Sequence, residues 1–178
     1  MRARHMLAIK ILIMGFAMTW SVLMAAPPLS QTRSFHLDAS CARAFPLFTP
    51  IGERAWAAGW DPELLSGRED RGSVFRTRAG GTETLWIVSD YRPDEGRISY
   101  ARLKQGSNFG LVDVQCRNAG AGSEITVRYT LTGVSPEGEA FVRDFLAAER
   151  YDAFIREWHD AIRATLSSPA EPPSDSGG

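Results

Sequence analysis

The chain has 178 residues, a length that fits one domain. It is 44% hydrophobic and 23% charged, which is an ordinary composition for a globular protein. The formal net charge of −1 gives no bulk positive field, so the composition excludes nucleic acid as an expected partner.

The first 26 residues have the pattern of an export signal. Basic side chains cluster in residues 1–10, and residues 11–26 are apolar except for Thr19 and Ser21. A basic stretch followed by an apolar run is typical of a signal peptide, and the run is shorter than the roughly 20 residues of a full membrane span. We therefore predict a periplasmic or extracellular protein whose segment 1–26 is cleaved or kept as a membrane anchor. The alternative is translation from Met24, which would give a cytoplasmic protein.

The next elements are a short strand and a short helix. Residues 33–38 alternate apolar and polar side chains, which predicts a strand. Ser40 can then cap a short helix that begins at Cys41.

A second short helix is predicted at residues 50–58. Thr49 is suited to the N-cap and Pro50 to the first helical position, while Gly59 can adopt the left-handed conformation that ends a helix. Two tryptophans accompany this helix, Trp56 on it and Trp60 just beyond its end.

The middle of the chain predicts an antiparallel meander. Five β-rich runs are joined by short connections, several of them rich in glycine, and short connections place neighbouring strands antiparallel. The clearest alternation is in the last run, which is a candidate partner of the first strand. The predicted strands are residues 73–78, 82–91, 97–104, 109–117 and 123–132.

The period then changes to that of a helix. Ser135 and Pro136 suit a helix start, and apolar residues recur at three- and four-residue steps from Phe141 to Leu166. We predict one helix of about 30 residues, which must bury its apolar face against the sheet. Residues 167–178 are rich in proline and serine and are predicted to be a disordered tail.

This order of elements, with the segment 47–62 after the first strand, resembles the SRPBCC or START-like superfamily, which includes polyketide cyclases and lipid-binding modules. The resemblance covers residues 33–166. It implies an α+β helix-grip fold: a curved antiparallel sheet, two short helices after the first strand, and a long C-terminal helix on the concave face. It also implies an apolar cavity between the sheet and that helix.

Aromatic side chains are the candidate lining of such a cavity. Most aromatics fill the core of any domain of this size, but a cavity lined by them suits a flat or greasy ligand. Trp56 and Trp60 are the first candidates because they flank a helix end where the family's cavity opens. The candidate ligand-binding residues are Trp56, Trp60, Trp86, Tyr100, Phe109, Phe141 and Phe145, with Trp158 as a further aromatic.

The sequence contains no phosphate loop, metalloprotease motif or nucleophile elbow. His36 and His159 are isolated, which favours surface residues over metal ligands, so no metal and no cofactor are expected. Asp113 is a possible general base, but a position facing water is favoured. Glu53 and Arg54 are possible cavity residues, but a solvated helix face is favoured.

Two cysteines, Cys41 and Cys116, can form a disulfide if the protein is exported. If the first strand pairs with residues 123–132, both cysteines lie at one end of the sheet. The strand order can still leave them one strand too far apart to bond.

Two function classes follow from the resemblance and from the search for chemistry. The first is a binding module for a small hydrophobic molecule, and the second is a cyclase or dehydratase that acts on such a molecule in the same cavity. Binding is favoured because no acid and base pair shares a face in the sequence. A domain with a collapsed cavity is the third possibility. A membrane contact is expected only through residues 1–26 if they are retained.

Overall fold

The computed structural model describes residues 27–168. The predicted signal at residues 1–26 and nearly all of the predicted tail lie outside these residues. The fold is one seven-stranded antiparallel sheet with helices packed on one face, in the strand order β1-β7-β6-β5-β4-β3-β2. The strands are β1 Leu29–Leu37, β2 Glu63–Ser66, β3 Val74–Ala79, β4 Thr82–Arg92, β5 Arg97–Lys104, β6 Asn108–Ala119 and β7 Gly122–Gly133.

This architecture confirms the predicted α+β helix-grip fold, with some differences in the strands. β1 pairs antiparallel with β7, from Leu29 opposite Leu131 to Leu37 opposite Ser123. β1 begins at Leu29, four residues before the predicted start of the domain at residue 33. The exposed strand β2 was not among the predicted strands, and it forms because Glu63 and Leu64 pair with β3.

The helices differ from the predictions in their lengths. The helix α1 (Cys41–Ala44) begins where predicted and continues into a 3₁₀ turn at Phe45–Phe48. The helix predicted at residues 50–58 is only the 3₁₀ turn Gly52–Ala55, so Trp56 lies just beyond its end.

The structure has two helices where one C-terminal helix was predicted, so the prediction of a single helix is wrong. The helix α2 (Pro136–Phe145) begins as predicted, with the Gly138 amide donating to Ser135 Oγ over 3.0 Å. The helix α3 (Ala148–Ser167) follows after a break at Leu146 and Ala147. Ala147 has an extended backbone with φ −60° and ψ 137°, which interrupts the helical hydrogen bonds. The break lets the two helices cover different parts of the sheet.

The strand alternation divides the sheet into two faces. The inner face carries the buried aliphatic and aromatic side chains of β4 to β7, and Tyr151, Ile155 and Ile162 of α3 are buried against it. The outer face carries exposed apolar and charged side chains. No helix in residues 27–168 is long and apolar enough to span a membrane.

One end of the inner face is closed by a disulfide between Cys41 of α1 and Cys116 of β6. Ile125 of β7 is paired with Phe35 of β1 on one side and with Cys116 of β6 on the other. This register brings the start of α1, which follows β1, next to the end of β6. The Cys41 amide also donates to the Asn118 side chain over 2.8 Å. The strand β7 lies between β1 and β6, and the sequence left open whether the cysteines could bond across it. The short connection between β1 and α1 places Cys41 close enough to Cys116 for the bond to form.

Candidate functional site

A cavity of about 540 Å³ lies between the inner face of the sheet and the helices. Strands β3 to β7 form its floor, the segment 53–60 forms one wall, and α2 and α3 cover it. Its surface is mainly aromatic, and every tryptophan in residues 27–168 contributes to it. The aromatic lining residues are Trp56, Trp60, Phe75, Trp86, Tyr100, Tyr129, Phe141, Phe145, Phe154 and Trp158.

The aromatic side chains are held in place by edge-to-face contacts and by their own polar atoms. The ring centroids of Trp56 and Trp158 are 5.0 Å apart, and those of Trp60 and Trp86 are 5.4 Å apart. The indole N–H groups donate to fixed oxygens: Trp56 to Leu47 O over 2.7 Å, Trp60 to Pro50 O over 2.8 Å and Trp86 to Thr77 Oγ1 over 3.0 Å. Indole groups bonded in this way present rigid apolar faces to the cavity.

Hydrogen bonds hold the segment that carries Trp56 and Trp60 in place against the sheet. The Tyr100 hydroxyl on β5 donates to Phe48 O over 2.6 Å, within the buried core. The Gly52 amide donates to Thr49 Oγ1 over 3.1 Å, and the Ile51 amide donates to the Glu69 carboxylate over 2.8 Å. These bonds replace the interrupted helical bonds of a segment that proline cannot continue as a regular helix.

Glu53 is a buried acid that lines the cavity, with a relative exposure of 6%. No side chain in residues 27–168 forms a hydrogen bond or an ion pair with its carboxyl group. Burial raises the pKa of Glu53 well above its ordinary value, because the carboxylate is desolvated. The expectation of a solvated helix face is therefore wrong for Glu53. Its neighbour Arg54 is exposed and pairs with Asp61 at 3.0 Å, as expected for a surface residue.

Arg102 is the second charged group of the cavity. Its side chain leaves the inner face of β5 and its guanidinium lies over the Trp86 ring, with Cζ 5.1 Å from the centroid. Its Nε is buried without a hydrogen-bond partner among residues 27–168. Burial lowers the pKa of Arg102 from its usual value because the charged form is desolvated.

Tyr129 of β7 provides a third polar group. It is 6% exposed and lines the cavity, and its hydroxyl has no hydrogen-bond partner among residues 27–168. Burial raises the pKa of Tyr129, and the positive charge of Arg102 opposes that rise. The cavity thus combines aromatic walls with a carboxyl, a guanidinium and a phenol that the described protein leaves unpartnered.

The structure places six of the seven predicted ligand-binding residues on the cavity: Trp56, Trp60, Trp86, Tyr100, Phe141 and Phe145. The prediction for Phe109 is wrong. Phe109 lies on the outer face of β6 between Leu103 and Thr132, with 47% of its surface exposed. The strand alternation explains this position, since Gly110, Val112 and Val114 are the buried residues of the same strand.

Trp158, the further aromatic candidate, also lines the cavity, whereas Asp113, His36 and His159 lie outside it. Asp113 is on the outer face, where it accepts from Ser99 Oγ over 2.7 Å and from Arg128 over 3.0 Å. His36 lies near Asp38 with 3.5 Å between nitrogen and oxygen, and His159 packs edge-on to Phe35. No cluster of three metal-ligating side chains occurs in the part of the chain that the structure describes.

Sequence reasoning missed Arg102, Tyr129 and Phe154 and assigned Glu53 to the wrong environment. For Arg102 a signal existed in the alternation of β5, because Ile98 and Tyr100 are apolar and Arg102 continues their face. For Tyr129 a signal existed in the alternation of β7, because Ile125, Val127 and Leu131 share its face, but its missing hydroxyl partner depends on the packing of α2 and α3. For Glu53 no signal existed, because a 3₁₀ turn and a helix orient the same residue differently.

The fold and its aromatic cavity define a helix-grip protein of the SRPBCC superfamily. The chain belongs to the polyketide cyclase / dehydrase and lipid transport family, whose model matches residues 28–167. No curated protein matches the chain significantly in sequence.

Solved structures with the same fold match nearly the whole domain. The structure of norcoclaurine synthase from Thalictrum flavum in complex with dopamine and hydroxybenzaldehyde has a TM-score of 0.61 and 13% identity, and the match covers 92% of this chain and 100% of that one. Ara h 8.0201 has a TM-score of 0.60 and 15% identity over 79% and 99% of the two chains. The Mll3558 protein from Rhizobium loti has a TM-score of 0.55 and 22% identity over 78% and 97%. At these identities the likeness shows the fold.

Proposed function

We propose that the protein binds a small hydrophobic molecule with a flat or aromatic body in this cavity. The observation that carries the proposal is an aromatic-lined space of about 540 Å³ within a family of cyclases and lipid-transport proteins. The volume is within the range of about 300–1,000 Å³ found for small-molecule pockets. The solved norcoclaurine synthase complex, which contains dopamine and hydroxybenzaldehyde, supports an aromatic ligand for this fold.

A titration with the neutral fluorescent probe N-phenyl-1-naphthylamine tests this proposal. The wild type should bind one molecule with saturation, because the probe is flat, apolar and small enough for the cavity. Phe141→Ala should weaken binding about three- to tenfold, since Phe141 lines the cavity and its loss removes aromatic contact.

Phe109→Ala is the matched control for this experiment. Phe109 and Phe141 have similar exposures of 47% and 39%, but Phe109 is on the outer face of the sheet. Its loss should leave the probe affinity unchanged. If the two variants bind the probe equally, or if the wild type does not bind it with saturation, the cavity is not the binding site.

A cyclase or dehydratase is the second candidate function, and Glu53 is the observation that favours it. Burial raises the pKa of the Glu53 carboxyl above its ordinary value, which is the direction that a general acid or base working at neutral pH requires. Tyr100 and Tyr129 lie close enough to Glu53 for its charge to raise the pKa of each phenol, so a bound substrate would meet all three groups.

Native mass spectrometry of wild type and Glu53→Gln, each purified from the same host, separates the two functions. A dehydrating enzyme predicts that the bound molecule on Glu53→Gln is heavier by one water than the molecule on the wild type, because the substrate accumulates when the proton transfer is blocked. An identical bound molecule on both proteins supports binding without catalysis.

We also propose that the protein works outside the cytoplasm. Two features support this: the basic and apolar pattern of residues 1–26, and the disulfide Cys41–Cys116, a bond that persists in oxidising compartments. Residues 1–32 fused to a reporter that is active only outside the cytoplasm should give a signal. A silent fusion, together with full-length protein in the cytosol, would contradict export.

A further inference from the structure

Four charged side chains line the cavity, namely Glu53, Arg78, Arg102 and Glu157, and no ion pair joins any two of them. Arg102 receives no ion pair from any carboxylate in residues 27–168, and Glu53 has no cation near enough to lower its pKa. Arg78, the other arginine at the cavity, is already paired with Glu63 at 3.1 Å and with Glu83 at 3.4 Å. The Arg102 guanidinium therefore retains an uncompensated positive charge.

The surroundings of Arg102 support its position but leave its donors free. Arg102 Cζ lies over the Trp86 ring, 5.1 Å from its centroid, and this cation–π contact stabilises the positive charge. The contact leaves Arg102 Nε without a hydrogen-bond partner among residues 27–168. On the other side Arg102 is paired with Gly110 of β6, which has no side chain to cover it.

Gly110 cannot be replaced by a larger residue without moving the sheet. A Cβ at this position would collide with the Thr130 carbonyl and with the Leu131 side chain of β7. The close approach of β6 to β7 thus requires glycine opposite Arg102.

Arg102 is partly buried, with its Nε fully enclosed and unpaired. An unpaired cation in such a position is costly, and an anion that hydrogen-bonds to it relieves the cost. The guanidinium fork matches the two oxygens of a carboxylate and binds them in a bidentate manner. We propose that the ligand of this cavity is an organic acid, whose carboxylate is received by Arg102 while its apolar body lies against Trp60, Trp86 and Phe145. This inference rests on the proposed function and names the chemical class of its ligand.

Tyr129 and Glu53 extend the polar recognition beyond the carboxylate. The Tyr129 phenol lies close enough to Arg102 for the positive charge to lower the pKa that burial raises, and its hydroxyl is free for a ligand. Glu53 lines the cavity near the same phenol, and its carboxyl becomes a hydrogen-bond donor when it is protonated. The ligand therefore carries a carboxylate at one point and a neutral acceptor, such as a carbonyl or hydroxyl oxygen, at another.

The test compares 2-naphthoate with 2-naphthamide, two molecules of nearly the same shape that differ in charge. Each competes with N-phenyl-1-naphthylamine on the full-length protein, and displacement gives the two affinities. The wild type should prefer the naphthoate by at least about tenfold, which corresponds to about 1.4 kcal/mol.

Arg102→Met should abolish this preference and leave the affinity for the naphthamide within about twofold. Arg102→Lys should keep part of it, because lysine keeps the charge without the fork. Arg117→Met is the matched control, since Arg117 is an exposed arginine of β6 outside this cavity and its loss changes the net charge equally. The melting temperature of Arg102→Met should equal or exceed that of the wild type, because an unpaired and partly buried charge is removed.

Equal affinities of wild type for the two naphthalene compounds would overturn the proposal, and so would a preference that persists in Arg102→Met. In both results the neutral probe still binds, so the proposed function stands. If the wild type binds none of the three compounds, the proposed function itself fails.

Discussion

The two faces of the same sheet treat polar side chains in opposite ways. On the outer face, Asp113 accepts hydrogen bonds from Ser99 and Arg128, and Arg76 pairs with Glu63 at 2.7 Å. On the inner face, the Nε of Arg102 has no partner among residues 27–168, and the carboxyl of Glu53, which enters the cavity from the turn Gly52–Ala55, has none either. Solvent could satisfy the outer groups, yet they are the ones that the protein pairs.

The difference indicates which groups belong to the fold and which are available to a ligand. A buried polar group without a partner costs free energy, so its presence in a folded protein calls for a reason. Of the buried side-chain atoms without a partner among residues 27–168, Arg102 Nε lies at the cavity, whereas Asn108 Oδ1 and Ser123 Oγ lie outside its lining. The pairing of outer-face charges stabilises the surface, while the inner-face groups are free to recognise a bound molecule.

The largest expected effect concerns the closed end of the inner face. Replacing both cysteines, Cys41→Ala and Cys116→Ala, should lower the free energy of unfolding by about 4 kcal/mol, because the bond closes a long loop in the unfolded chain. The two cysteines are separated by 75 positions. Chemical denaturation of the oxidised wild type and of the double variant measures the difference.

The same double variant should keep its affinity for the neutral probe, measured per folded molecule, because the disulfide is remote from the cavity lining. A reductant should shift the denaturation curve of the wild type and leave that of the variant unchanged. Equal stability of the oxidised wild type and the variant would show that this end of the fold does not depend on the bond.

The second prediction compares two buried phenols of the inner face. Tyr100→Phe should lower the free energy of unfolding by about 1–3 kcal/mol, because it leaves the Phe48 carbonyl buried without its donor. Tyr129→Phe should change stability by less than about 0.5 kcal/mol, because its hydroxyl has no partner among residues 27–168 to lose. Thermal and chemical denaturation of both variants test this pair, and a large loss for Tyr129→Phe would show that its hydroxyl belongs to the fold.

The third prediction concerns the pH dependence that Glu53 introduces. Its folded pKa is raised, so the folded state retains this proton at pH values where the unfolded chain has lost it. The stability that Glu53 contributes is complete below the unfolded value of about 4.5 and is lost as pH rises through the raised folded value. Tyr100 and Tyr129 stay neutral in this window because burial raises the pKa of both phenols.

Glu53→Gln should therefore gain stability relative to the wild type as the pH rises from 4 to 8. Denaturation curves of both proteins at several pH values measure the gain. A constant difference across this range would show that the Glu53 carboxyl has an ordinary pKa and is solvated.

The smallest expected effect is on the outer face. Asp113→Asn removes the charge that pairs with Arg128, and such a partly exposed pair contributes about 0–1 kcal/mol. The affinity for the neutral probe should stay the same, because Asp113 lies on the opposite side of the sheet from the cavity. A loss of binding in this variant would contradict the separation of the two faces.

Most of the fold could be predicted from the sequence because the alternation of apolar and polar residues in the strands is visible in it. The alternation of residues 123–132 and the turns between the β-rich runs predicted the meander, and the start of α2 followed from Ser135 and Pro136. The break at Ala147 could not be predicted, because the apolar spacing continues across it. β2 was missed because its four residues are all exposed and carry no burial pattern.

The cavity was predictable in its aromatic part and not in its polar part. Large aromatic side chains on inward positions are recognisable, although Phe109 shows that the face must be known as well as the residue type. Arg102 and Glu53 depend on which side chains fail to pair with them. Whether a charged side chain has a partner is a property of the assembled fold, because it depends on all the side chains that surround it.

The most direct test of the central claim is one nuclear magnetic resonance titration of the protein with N-phenyl-1-naphthylamine. The indole N–H signals of Trp56, Trp60, Trp86 and Trp158 report on the cavity, and the backbone amides of Phe109 and Leu111 report on the exposed outer face. We expect the indole signals to shift along one saturation curve while the two outer-face amides stay in place. Shifts at Phe109 and Leu111 with unchanged indole signals would contradict the account, because the apolar outer face would then be the binding surface.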